Sequence, residues 1–385
     1  MSQPFGDIPL FRELQRILAS GQGPVNFEIA RQIAGTIATQ TADPAPSPDA
    51  ARRFSDAVRE AELLLTGYTR LTLDEPVATK TIGRATWVLA ALDGWRWLLE
   101  SVASRFTSEL SGVAGESRES PLGPMEQMMG QIAPLLLGIQ IGTVIGHLAN
   151  DVVARHDPPI PFEDDGALFF VTPNLDRLVD EYDFGAEAFA RWLALHEAAR
   201  QIVLTATPWV NRYFRSLLLA LVDAIEIDTS DLERRLIDLQ SGGPEALTAG
   251  AGLDQMFPVA QTERYQRALA DLKSFLAVYD GYAEHAAAAV SSQLLGDTTR
   301  IDEGMARHRA SPSEGKAMLA SVLGIERDRS LETSGKTFCA AVVQLKGISA
   351  LNIVWAAPDN LPTLPEIKDP FLWIERMLSE EGPAS

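Results

Sequence analysis

Residues 196 to 200 read His-Glu-Ala-Ala-Arg and lie in a stretch whose apolar residues recur at helical spacing. In the pattern His-Glu-x-x-His, two imidazoles four residues apart share one helix face and reach a single Zn²⁺, while the glutamate activates the metal-bound water. Here the last position is Arg200. A guanidinium keeps its proton and offers N–H donors but no lone pair, so it cannot ligate a metal. His196 and Glu197 therefore retain the first half of that chemistry, a ligand and a general base. Arg200 brings a permanent positive charge to the seat of the second nitrogen. Glu197 lies three residues back on the same face; Arg200 either pairs internally with such carboxylates or turns to solvent and pairs with a surface acid.

Other candidates carry weaker chemistry. The acid run Glu163, Asp164, Asp165 lacks the alternating oxygen ligands of a calcium loop and reads as a solvated turn. Ser241-Gly242-Gly243-Pro244 has no following Gly-Lys-Ser/Thr and reads as a helix-ending turn. No Gly-x-Ser-x-Gly elbow is present, and Cys339 sits between Phe338 and Ala340 in an apolar helical setting that suits a buried, inert thiol. With a single cysteine there is no intramolecular disulfide and no Cys-rich metal site, which fits a reducing compartment and a cytoplasmic protein.

The elements that must position these groups are helical. Residues 185–205 place Phe189, Trp192, Leu193, Leu195, Ile202 and Val203 on a broad buried face, and Pro208 closes the run. Further helical patterns cover 209–227, 232–239, 261–295 and 313–323. Gly138, Gly142 and Gly146 line one helix face with small residues, so another helix can pack closely. Trp192, Trp209, Trp355 and Trp373 read as packing residues. Residues 167–171 are the best strand candidate. The expected class is mainly α, with at most a small β element there.

Breaks rich in Pro, Ser and Gly fall at residues 41–53 and 111–124. They divide the chain into an N-terminal helical region (1–110), a connector (111–124) and a helical domain (125–378) carrying the His-Glu-Ala-Ala-Arg segment. Residues 132–148 are apolar, but Pro134, Gln140 and His147 interrupt them, and about 20 apolar residues are needed to span a bilayer. A buried helix is expected, and no membrane role. The first residues lack the basic, apolar and cleavage regions of a secretory signal. A net charge of −19 opposes binding to nucleic acid, which draws on clustered Lys and Arg. Apolar residues at 46% and charged residues at 22% are values of a folded globular chain.

A wider pattern surrounds the motif. GIQIGTVIGHLANDVVARHDPPIP, FVTPNLDRL, LALHEAARQIVLTATPWV, LAVYDGYAEHAAAAV and ALNIVWAAPDNLPTLPEIKDPFLWIERM, spread over residues 138–377, resemble a bacterial family of zincin-like metallopeptidases, whose members are also described as hydrolases or as coenzyme F420 biosynthesis-associated proteins. The resemblance implies a multi-helix zincin-like fold, with His196 at a metal-ligand position and Glu197 at the general base. Asp280 then stands where the family carries a glutamate as its third ligand, and Arg200 departs outright. Two surviving ligands are too few for a tight zinc site, which uses three or four. His285 lies five residues beyond Asp280, about 140° around the helix, and so off its face.

The expectation is a hydrolase relative with a degenerate metal site, impaired or inactive as a catalyst, that binds a peptide or another protein. No cofactor is expected unless the site is rescued, in which case zinc is the candidate. The alternatives are an active metal-dependent peptidase with a non-standard ligand set and a non-catalytic helical scaffold. The oligomeric state is not legible.

Overall fold

Local stop and start signals become element boundaries in the computed structural model, which describes residues 23–115, 123–227, 259–310, 313–323 and 329–378. The Ser47 hydroxyl accepts a hydrogen bond from the Ala50 N–H at 3.1 Å and caps α2 (Pro48–Thr69), which ends where Arg70 turns left-handed. Pro208 opens α8 (Pro208–Asp223) directly after α7 (Ala186–Ala206), because a proline is tolerated in a first turn and not in a helix interior. Thr262 caps the long α9 (Glu263–Leu294) by accepting from the Tyr265 N–H at 3.2 Å.

The remaining helices are α1 (Phe27–Ala38), α3 (Arg84–Gly94), α4 (Arg96–Gly115), α5 (Gly123–Ala149), α6 (Thr172–Tyr182), α10 (Thr299–Ala310), α11 (Glu314–Leu323), α12 (Arg329–Lys346), α13 (Ile348–Leu351), α14 (Leu364–Lys368) and α15 (Pro370–Leu378). The fold is mainly α, as expected. The expected strand is present as β2 (Leu168–Val171), buried on both faces and paired in parallel with β1 (Thr79–Ile82) in the register Thr79 to Leu168 and Ile82 to Val171. No helix of the described residues is long and apolar enough to cross a membrane. The expected helix at 232–239 and the Ser241–Pro244 turn lie outside the described residues, as do residues 116–122 of the expected connector.

Two close helix crossings set the frame. The Gly138, Gly142 and Gly146 face of α5 lies against α1, where a Cβ on Gly138 would sit 2.5 Å from the Asn26 carbonyl oxygen and one on Gly142 2.7 Å from that of Ala30. Backbone meets backbone there, which only glycine permits. The second crossing joins α9 to α12, where a Cβ on Gly281 would come within 2.5 Å of the Gly335 carbonyl carbon. One buried apolar cluster runs from Val25 on the N-terminal side to Trp373 near the end of the described chain. Within it α7 is enclosed by α2, α8 and α9, so that α7 and α9 face each other with the residues of interest between them.

Candidate functional site

On α7 the apolar residues Phe189, Leu193, Ala194 and Ile202 are buried, and the same helix brings Glu197 to 3% exposure. The four-residue spacing of His196 and Arg200 puts both on the side that meets α9. Arg200 donates from Nε to Asp280 Oδ1 at 2.8 Å, and its Nη2 lies 3.4 Å from Glu284 Oε1. Its Nη1 contacts the His196 carbonyl oxygen at 3.3 Å and stands 3.8 Å from Glu197 Oε1. The Arg200 side chain is only 12% exposed. Burial alone would lower its pKa, but Asp280, Glu284 and Glu197 outweigh that and raise it, so the guanidinium stays charged.

His196 is fixed from behind: its Nδ1 donates to the Trp192 carbonyl at 2.8 Å, and its ring packs on the Trp192 indole with centroids 4.1 Å apart. Nε2 then faces Glu284 Oε2 across 3.7 Å, beyond hydrogen-bond reach. Burial holds the imidazole below its ordinary pKa. Glu284 shows the opposite balance. Burial would raise its carboxyl, yet His196, Arg200 and Lys336 outweigh it and leave the group well below the usual carboxylate range. Lys336, from α12, reaches Glu284 Oε2 at 3.2 Å.

Glu197 is the exception among these carboxylates. Burial pushes it up to about 7, against the opposing pull of Arg200 and of the His156 backbone N–H, which donates to Glu197 Oε2 at 3.0 Å. The His156 ring donates in turn from Nε2 to Gln201 Oε1 at 3.1 Å, since the Gln201 amide nitrogen is itself a donor to the Gly166 carbonyl. These groups open onto a cleft of about 650 Å³, whose walls include Leu193, Phe214, Leu218, Leu276, Met305 and Leu319. A second polar cluster, with Lys316 at its centre, lines the same cleft: its Nζ lies 3.1 Å from Asp151 Oδ2 and 2.9 Å from Asp157 Oδ1.

His196, Glu197, Arg200 and Asp280 are thus brought together. His285 is not: it points to the other side of α9, where its Nε2 is 2.8 Å from the Tyr68 hydroxyl. Glu284 and Lys336 belong to the cluster and were not singled out in the sequence. For Glu284 the signal was present, because it follows Asp280 by four residues on one helix face. Lys336 had none, since it arrives from a distant helix. The acid run of the 163–165 turn is distributed over three cations, Glu163 to Arg215 at 3.2 Å, Asp164 to Arg155 at 2.6 Å and Asp165 to Lys80 at 2.5 Å. Cys339 is fully buried, and burial pushes its thiol pKa up.

This donor set does not fit a divalent metal ion. The nitrogens nearest the carboxylates belong to a guanidinium and an ammonium, which carry charge of the ion's own sign and have no lone pair to share. Among the described residues no group of three or more His, Cys, Asp and Glu side chains is placed to hold a metal ion.

The sequence profile of the zincin-like metallopeptidases matches residues 25–374. A crystal structure from Chloroflexus aurantiacus, described as a candidate hydrolase with a novel fold, superposes with a TM-score of 0.67 at 25% sequence identity, covering 93% of this chain and 100% of that one. No match is found among curated proteins.

Proposed function

The chain belongs to the zincin-like metallopeptidase family, and from that premise we propose that it is a member in which Arg200 has supplanted the metal, leaving a peptide-binding cleft without zinc-dependent peptidase activity. The observation that carries this reading is the 2.8 Å bond from Arg200 Nε to Asp280 Oδ1, made by the residue four positions after His196. A zinc peptidase needs an open coordination position at which water is acidified and a carbonyl polarised. Here Arg200 spends its donors on Asp280, Glu284 and the His196 carbonyl, so the centre is closed electrostatically.

What remains suits recognition. The cleft is concave, mostly apolar in its walls and polar at a few points, the usual make-up of a ligand site. Burial raises Glu197 to a pKa of about 7, so below that pH its carboxyl carries a proton that can be donated in a hydrogen bond.

Elemental analysis of the purified protein and of Arg200→His tests the reading. The wild type is expected to carry no stoichiometric zinc and to cleave no peptide in a chelator-sensitive way. Arg200→His, which sets two imidazoles four residues apart beside Glu284, is expected to gain zinc. Stoichiometric zinc in the wild type, with cleavage abolished by a chelator, would overturn it.

A further inference from the structure

The cleft-facing side of α9 reads Lys273, Leu276, Ala277, Asp280 and Glu284, at intervals of three, one, three and four residues. At 1.5 Å rise per residue, Lys273 lies about 10 Å along the helix from Asp280, the reach of roughly three residues of extended peptide. Leu276 of α9 and Phe214 and Leu218 of α8 line the same cleft and give it apolar wall.

The cations of this cleft are not equivalent. Arg200 is bound to Asp280 and Glu284, Lys336 to Glu284, and Lys316 to Asp151 and Asp157; Arg309 acts on Glu284 and Glu197, and Arg329 is exposed. Lys273 is half-buried on the wall and, among the described residues, has neither an ion-pair nor a hydrogen-bond partner. A half-buried lysine with no carboxylate partner among the described residues, beside apolar wall residues of a cleft, can pair with an anionic ligand group there.

We propose that the cleft takes short apolar peptides by their free C-terminal carboxylate, with Lys273 as the carboxylate's partner and Phe214, Leu218 and Leu276 seating the side chains that precede it. The proposal rests on the peptide-binding reading above and adds polarity to it: the chain end lies at Lys273 and the peptide runs toward Arg200. A peptide fits better than a hydrocarbon tail because His156 and Asp280, the latter's side chain 29% exposed, interrupt the apolar wall with groups that can meet backbone N–H and C=O.

The test uses the full chain and two pools of N-acetylated tetrapeptides built from Ala, Leu and Phe, one with free C-terminal carboxylates and one amidated. Wild-type protein is expected to bind the acid pool about tenfold more tightly than the amide pool. Lys273→Met should bind both pools alike, at the amide level, whereas Lys273→Arg should keep the preference. Circular dichroism establishes that each variant is folded. Equal binding of acids and amides by the wild type, or a preference that survives in Lys273→Met, overturns the carboxylate assignment and leaves peptide binding intact. If folded wild type binds neither pool, the peptide-binding reading falls and this proposal with it. Binding of laurate in that case assigns the cleft to a lipid.

Discussion

Two cations face the same cleft from different helices, and each is gripped by carboxylates, yet the two clusters settle their charge differently. Lys316 on α11 meets Asp151 and Asp157, and Asp151 is also approached by Arg177 at 3.5 Å and by His308 at 3.9 Å. Burial would raise Asp151 and lower Lys316, but their mutual attraction wins, so the first is depressed and the second raised. Arg200 on α7 instead meets three carboxylates, with Lys336 beside Glu284 and Arg309 acting on Glu284 and Glu197 from the same cleft. The deepest carboxylate, Glu197, is nonetheless lifted to a pKa of about 7 by burial, against the pull of these cations.

The largest expected effect distinguishes the clusters directly. Arg200→Met strands Asp280, Glu284 and Glu197 without their principal cation, and removal of one partner from a buried ion cluster costs about 3–5 kcal/mol. Urea unfolding of wild type and variant measures it, and a loss under about 1 kcal/mol would mean that the cluster is hydrated and the contrast with Lys316 is false.

Next in size is a dependence on pH. The folded-state value of Glu197, about 7, lies above its ordinary value of 4.5, so the folded protein holds the proton after the unfolded chain has released it. Stability then falls as pH rises from 4.5 to 7, by on the order of 3 kcal/mol at most. Glu197→Gln should lack that slope, matching the wild type near pH 4.5 and exceeding it at pH 8 in denaturant titrations. Glu284 acts in the opposite sense, because its depressed pKa contributes stability above its ordinary value that is lost as pH falls below it. Parallel pH profiles for Glu197→Gln and wild type would remove the proton from the comparison.

The smallest effect is expected at the balanced cluster. Lys316→Met leaves Asp151 with Arg177 and His308 still at hand, for a cost of about 1–2 kcal/mol. A loss equal to that of Arg200→Met would erase the distinction between the two centres.

The sequence made the carrier helices legible because their signals are local. Apolar spacing and Pro208 delimit α7, the capping Thr262 opens α9, and Gly138, Gly142 and Gly146 mark a close crossing before its partner is known. β2 announced itself as a short apolar run, whereas its partner β1, four residues of Thr, Lys, Thr and Ile, is too short to show a period. At the site, the motif pointed to Arg200 and the family pattern to Asp280. His285 falls off the Asp280 face by its spacing, whereas Glu284, four residues on, shares that face and was legible by the same rule. Lys336, the His156 N–H and the Lys316 cluster come from segments far apart in the chain, and no local pattern announces such meetings.

The contact of Gly281 with Gly335 has a bearing on how such a centre changes over time. Because bare backbones hold α9 against α12 at that point, Asp280 and Glu284 are presented by the scaffold and not by the cation they surround. A lineage built on this framework can therefore exchange an ion for a guanidinium, or reverse the exchange, without first learning a new way to fold.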